Sequence, residues 1–163
     1  MKIRKVRKRW RDVRRRPVNM LASVLTALGL YCGVASMFAA IAERYEQAAY
    51  LILAAIVFDM LDGTVAKLTN SVSEFGKQLD SLADLVSFGV APAILIYMAY
   101  LHEERIAGSA VGRTGAMFAI VFVMCGWLRL ARFNVYQSKM RDSFVGLPIP
   151  AAGGTVATFV LFT

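Results

Sequence analysis

From Pro17 to Ala42 the chain runs for 26 residues without a charge. At about 1.5 Å rise per helical residue, a run of that length exceeds the roughly 30 Å hydrocarbon core of a bilayer. Lipid offers no partner to backbone N–H and C=O groups, so a spanning segment must be an α-helix or part of a closed barrel. The composition agrees: 58% of residues are hydrophobic and the mean hydropathy is +0.54, well outside the range of soluble domains. A cleaved secretory leader is the competing reading, because basic residues precede the apolar run. The run is too long for that, and further apolar runs follow it.

Those runs are Gln47 to Leu68, Leu79 to Leu101, Thr114 to Tyr136 and Phe144 to Thr163. The expected fold class is therefore an all-α membrane protein, a transmembrane helical bundle with five visible spans. The connections are short, with no internal repeat and no Pro-, Ser- or Gly-rich linker. Residues 17–163 read as one membrane domain behind a basic segment, residues 1–16.

The charge distribution sets the orientation. Ten of the nineteen Lys and Arg lie in the first sixteen residues, from Lys2 to Arg16. By the positive-inside rule this segment is cytoplasmic. Threading the spans from it puts 43–46 and 102–113 outside and 67–78 and 137–141 inside, leaving only Arg44, Arg105 and Arg113 outside. With Ile3, Val6, Trp10 and Val13 interleaved, the segment reads either as an amphipathic helix on anionic lipid or as a topology signal alone. Nucleic-acid binding is the lesser reading of a basic run attached to a membrane span. Cys32 and Cys125 read as small core residues, and the single histidine, His102, as an outer surface residue.

Against this apolar background stand Asp59, Asp62, Asp80 and Asp84. A carboxylate inside a bilayer costs at least about 2.5–3.5 kcal/mol, so four of them call for a shared purpose. The threading places Asp59 and Asp62 late in the inward-running second span and Asp80 and Asp84 at the start of the third, all at one depth on the cytoplasmic side. Spacings of three and four put each pair on one helix face. Two such faces can close around hard cations, magnesium, manganese or calcium, and no thiolate or imidazole nearby argues for zinc. Four like charges point to two cations, an arrangement that serves phosphoryl transfer.

Neighbouring residues leave alternatives open. Gly63 and Ala66 either form a groove beside the carboxylates or let helices pack closely. Lys67 either snorkels to the interface or meets a phosphate. Arg129 and Arg132, late in the fourth span with Asn134 close by, are either a cytoplasmic anchor or partners for an anion. Gly146, Pro148, Pro150, Gly153 and Gly154 break or kink the entry to the fifth span. A cation or proton transporter would also carry intramembrane carboxylates, but it needs polar groups along a whole span, and spans 1, 2 and 5 are uncharged through their outer halves.

The stretch from Asp59 to Asp84 resembles the signature of the CDP-alcohol phosphatidyltransferases: Asp59, Asp62-Gly63, Ala66-Lys67, Gly76, Asp80 and Asp84, with every spacing met and lysine where the family usually has arginine. The strings Leu79 to Pro92, Arg129 to Asn134 and Gly146 to Pro150 resemble the branch that uses serine as acceptor. The resemblance implies a six-helix membrane fold, so a sixth span would be missing from this sequence or supplied by a partner. It also implies a homodimer in the cell membrane with its site open to the cytoplasm.

The implied chemistry is attack of an alcohol on CDP-diacylglycerol, or on an ether-lipid counterpart, with L-serine as the expected acceptor and CMP released. By position, Asp59, Asp62, Asp80 and Asp84 would hold two Mg2+ or Mn2+ ions, and Asp84 would also be the general base. Asp59, Asp62, Gly63, Ala66, Lys67 and Gly76 would bind CDP, and Ser87, Arg129, Arg132 and Asn134 would bind serine. Lysine at 67 lacks arginine's bidentate fork, so its diphosphate contact would be weaker or differently aimed. A non-catalytic relative is the remaining reading of a chain short of a span.

Overall fold

The computed structural model describes residues 20–68, 74–101, 110–137 and 149–162, and among them every regular element is helical. The elements are α1 (Met20–Ile41), α2 (Tyr45–Leu68), α3 (Glu74–Asp84), α4 (Ala91–Ile96), α5 (Ala110–Gln137) and α6 (Ile149–Leu161), with π-helical turns π1 (Leu85–Val90) before α4 and π2 (Tyr97–Leu101) after it. The segment from α3 through π2 forms a single third span.

α1 and α2 form the central hairpin. One side of α1 carries Ala22, Thr26, Gly29, Gly33, Ser36 and Ala40, alternately four and three residues apart, and every one is small. Small side chains let backbones approach closely, which is how helices associate where lipid removes the hydrophobic drive between them. Ala48, Ile52 and Ala55 of α2 are fully buried in this contact, and a methyl at Gly29 would lie 3.6 Å from Phe58 Cβ. The Ser36 hydroxyl is also fully buried and donates to the Ala48 carbonyl at 2.8 Å. The turn between the helices is a Schellman cap: Glu43 N–H donates to Ala40 O at 3.1 Å and Arg44 N–H to Ala39 O at 2.9 Å. Glu43 takes φ 61° at the position where glycine is usual.

The third span changes pitch just past the acidic cluster. Pro92 has no N–H to offer the Phe88 carbonyl one turn back, and ahead of it the Ala91 N–H reaches Val86 O, five residues away, in the wider π geometry. In this turn Ser87 and Phe88 are both buried. Ser87 seats in the notch of α1, donating to Gly29 O at 3.2 Å. Phe88 meets α6, where a methyl at Gly153 would come within 3.1 Å of Phe88 Cα, Cβ and O.

Among the described residues four helices have the length and apolarity of membrane spans, against the five expected, and the fifth run shows only a shorter apolar helix. Within the apolar run from Phe144 to Thr163 the described residues form the 13-residue α6, about 20 Å at helical rise. The described part of that run begins at Ile149, with Pro150 in the first turn of α6. α6 packs inward, with Ile149, Gly153, Ala157 and Val160 buried. α5 lies at the other extreme, with only 6% of its apolar window buried. That corrects one expectation: Cys32 is a buried core residue, but Cys125 on α5 is exposed. An apolar groove of about 370 Å3 separates the half of the third span away from the aspartates from α5 and is lined by Val90, Ile94, Tyr97, Ala119 and Val123 among others.

Two glycine positions should part company on substitution. A methyl at Gly33 would lie 2.7 Å from Ser87 Cα, whereas one at Gly63 meets no described atom within 4 Å. Overpacking costs about 1–3 kcal/mol, more than the ~1 kcal/mol that alanine gains over glycine in a helix. Thermal melting in detergent should show Gly33→Ala melting below the parent and Gly63→Ala at or above it. Equal shifts would refute the close approach of α1 to π1.

Candidate active site

α2 and α3 deliver the acidic residues as their periodicity requires. Asp59 and Asp62 sit one turn apart on α2, Asp80 and Asp84 one turn apart on α3, and all four line one pocket. Within it, Asp59, Asp62 and Asp80 each offer a carboxylate oxygen, and these oxygens lie within 4.8 Å of one another. Asp84 lines the same pocket but stands outside that trio. Asp62 is the most enclosed, at 5% exposure, and the other three are half-buried.

Three converging carboxylates in an apolar bundle repel one another, and in low dielectric the repulsion is several-fold stronger than in water. A positive charge among them removes that cost. An all-carboxylate donor set matches magnesium, manganese or calcium rather than a softer metal. The enclosed free space, about 10 Å3, is the size of one water or a bare cation. The residues present therefore fit a divalent cation. Beside Asp62, a methyl at Gly63 would meet no described atom within 4 Å.

The pocket has a third wall that the acidic motif does not announce. Thr26, Gly29 and Leu30 of α1 line it, joined by Ala83, Ser87 and Phe88. Thr26 Oγ1 donates to Asp62 Oδ2 at 2.7 Å across a separation of 36 residues. Ser87, expected to bind an acceptor, lines the pocket while its hydroxyl is engaged by Gly29 O. Gly76 lies in the first turn of α3 and is half-buried. Arg129 is half-buried on α5 and Arg132 is exposed there, and neither lines the pocket. The side chains of Ala66, Lys67 and Asn134 lie outside the described residues, as do the basic segment 1–16 and His102.

A profile of the CDP-alcohol phosphatidyltransferase family matches residues 19–163. The chain belongs to that family. Among curated relatives, it is 40% identical over 146 residues to a CDP-diacylglycerol–serine O-phosphatidyltransferase of Helicobacter pylori strain J99, covering 89% of this chain and 59% of the relative. It is 42% identical over 143 residues to an archaetidylserine synthase of Methanothermobacter thermautotrophicus, covering 86% of this chain and 58% of the relative. A CDP-diacylglycerol–serine O-phosphatidyltransferase of Bacillus subtilis is 35% identical over 136 residues, covering 83% and 72%. The chain thus spans about three fifths of the length of the Helicobacter and Methanothermobacter relatives.

Loss of one carboxylate from the trio should register in cation binding itself. Asp80→Asn removes a charged ligand atom while keeping side-chain volume. Isothermal titration of the purified protein with Mn2+ should show affinity falling at least tenfold, on the order of the changes seen when metal ligation is disturbed. Unaltered Mn2+ affinity in that variant would contradict the assignment of the trio.

Proposed function

We propose that this protein transfers a phosphatidyl group from CDP-diacylglycerol to the hydroxyl of L-serine, yielding phosphatidylserine and CMP. The observation that carries the proposal is the convergence of Asp59, Asp62 and Asp80 with Asp84 in one pocket. The activities for which the Helicobacter and Bacillus relatives are named supply the substrates. The archaetidylserine synthase among them keeps an ether-lipid donor in view, because polar motifs of this kind do not read the lipid tails.

In this reading Asp59, Asp62 and Asp80 hold two Mg2+ or Mn2+ ions, with Asp84 completing the site from α3. Bound divalent cations supply the charge that neutralises a diphosphate and stabilises the leaving CMP oxygen. The chain's own groups do the rest. Asp59, Asp62, Gly63, Ala66, Lys67 and Gly76 bind the CDP moiety. The serine hydroxyl oxygen forms a bond to the lipid-bearing phosphorus as the bond from that phosphorus to the CMP oxygen breaks. The hydroxyl proton passes to a carboxylate oxygen of Asp84, which stands beside the trio rather than within it. Burial of the pocket among α1, α2 and the third span limits water as a competing acceptor.

Serine's carboxylate needs a cation, and Arg129 and Arg132 of α5 are the candidates, with Ser87 and Asn134 as neighbours. The site faces the cytoplasm in the cell membrane, with the basic segment lying on anionic lipid. The open apolar face of α5, which includes Met117, Phe118 and Val121, is available to a second copy of the chain in a homodimer.

Purified protein with CDP-diacylglycerol, Mn2+ or Mg2+ and a panel of alcohols should release CMP with serine as the preferred acceptor. Asp84→Asn should lower kcat by about 10²–10⁴-fold, the range for loss of a general base. Absence of CMP with every acceptor, and with an ether-lipid donor, would refute the proposal. Arg132→Ala should raise the KM for serine far more than that for the CDP-lipid, and equal effects on both would remove Arg132 from the acceptor site.

A further inference from the structure

Outside the acidic motif, one α1 side chain is engaged directly with the cluster. Thr26 Oγ1 lies 2.7 Å from Asp62 Oδ2 and 3.0 Å from the Ala22 carbonyl one turn back. The second contact is the bond that helical threonines make by default. The hydroxyl has a single proton to give. A carboxylate acceptor makes a bond about twice as strong as a neutral carbonyl does, and here it is also the nearer acceptor. The proton therefore goes to Asp62, while Ala22 O keeps the ordinary helical partner that its place inside α1 provides.

Two further features make this contact more than incidental. Asp62 is the one buried aspartate of the cluster, at 5% exposure. It has least access to water, so its carboxylate depends most on protein groups for orientation. Thr26 is also carried to it by design of the α1 surface. Gly29 and Gly33, one and two turns further on, leave no side chain to hold α1 away from α2 and π1, and Thr26, Gly29 and Leu30 line the pocket together. A β-branched side chain in a helix has few χ1 choices, so the hydroxyl is aimed before any ligand arrives.

We propose that Thr26 is a positioning residue of the cation site: its hydroxyl fixes the carboxylate plane of Asp62 and so sets how that residue presents oxygen to a divalent ion. This rests on the cation-dependent reading above. Partners that orient a ligating carboxylate typically govern 10–100-fold in metal affinity.

The test is Mn2+ binding to the purified full chain, read as loss of the free Mn2+ signal in electron paramagnetic resonance, for Thr26→Val, Thr26→Ala and Thr26→Ser. Valine keeps the shape and removes the hydroxyl, alanine removes hydroxyl and methyl, and serine keeps the hydroxyl. The Mn2+ dissociation constant should rise about tenfold or more in the valine and alanine variants and stay within about threefold of the parent in the serine variant. CMP release by the valine variant should recover as Mn2+ is raised. Parent-like Mn2+ affinity in either apolar variant that melts as the parent does would overturn the proposal, and so would a serine variant as weak as valine, which would make the role one of packing. If the parent binds no Mn2+, the cation reading falls with it. Normal parent binding with an unchanged valine variant defeats only the role of Thr26.

Discussion

Mutual repulsion among carboxylates in an apolar bundle is the constraint on which the rest of this structure depends. Asp59, Asp62 and Asp80 present oxygens within 4.8 Å of one another, in surroundings where unneutralised charge is expensive. A fold holds such a cluster more readily when its helices are clamped from the other side and the carboxylates are neutralised by a counter-charge or a proton. The clamps are the small-residue face of α1 and the buried hydroxyl bonds from Ser36 to Ala48 and from Ser87 to Gly29. A divalent cation is the counter-charge for which this donor set is suited. The bundle is therefore tight around α1, α2 and π1 and loose around α5, where nothing in the acidic cluster needs support.

The same constraint accounts for the unusual third span. Asp80 and Asp84 must face the pocket at one end of the span, while Phe88, Ala91 and Leu95 must fill the core further along. Pro92 and the π turn before it reset the helical face between those two tasks. π turns of this kind concentrate at functional sites. Gly153 then lets α6 approach the Phe88 backbone, so the turn beside Asp84 is held from two sides, by α1 and by α6.

What the sequence disclosed follows the range of the interactions. Asp59 with Asp62, and Asp80 with Asp84, were legible because helical spacing is local and charge in an apolar run stands out. Their meeting was legible too, because alternating topology carries the end of one span and the start of the next to the same depth. Thr26 was not. Threonine four residues after alanine in an apolar run looks like filler, and its partner Asp62 is 36 residues away. Ser87 was noticed for its hydroxyl, yet its bond to Gly29 O depends on how closely two helices approach. The fifth span was counted from composition alone, whereas the described residues of that run form the 13-residue α6. Arg129 and Arg132 carry the right charge, but that neither lines the enclosed pocket is a tertiary fact that no spacing rule supplies.

The central claim is that the four-aspartate pocket is where a divalent cation binds. Anomalous diffraction from crystals grown with Mn2+ tests it most directly, because the signal locates the ion without reference to activity. The account predicts anomalous density bracketed by the carboxylates of Asp59, Asp62 and Asp80. Mn2+ found only at other sites, with that pocket empty at saturating concentration, would contradict it.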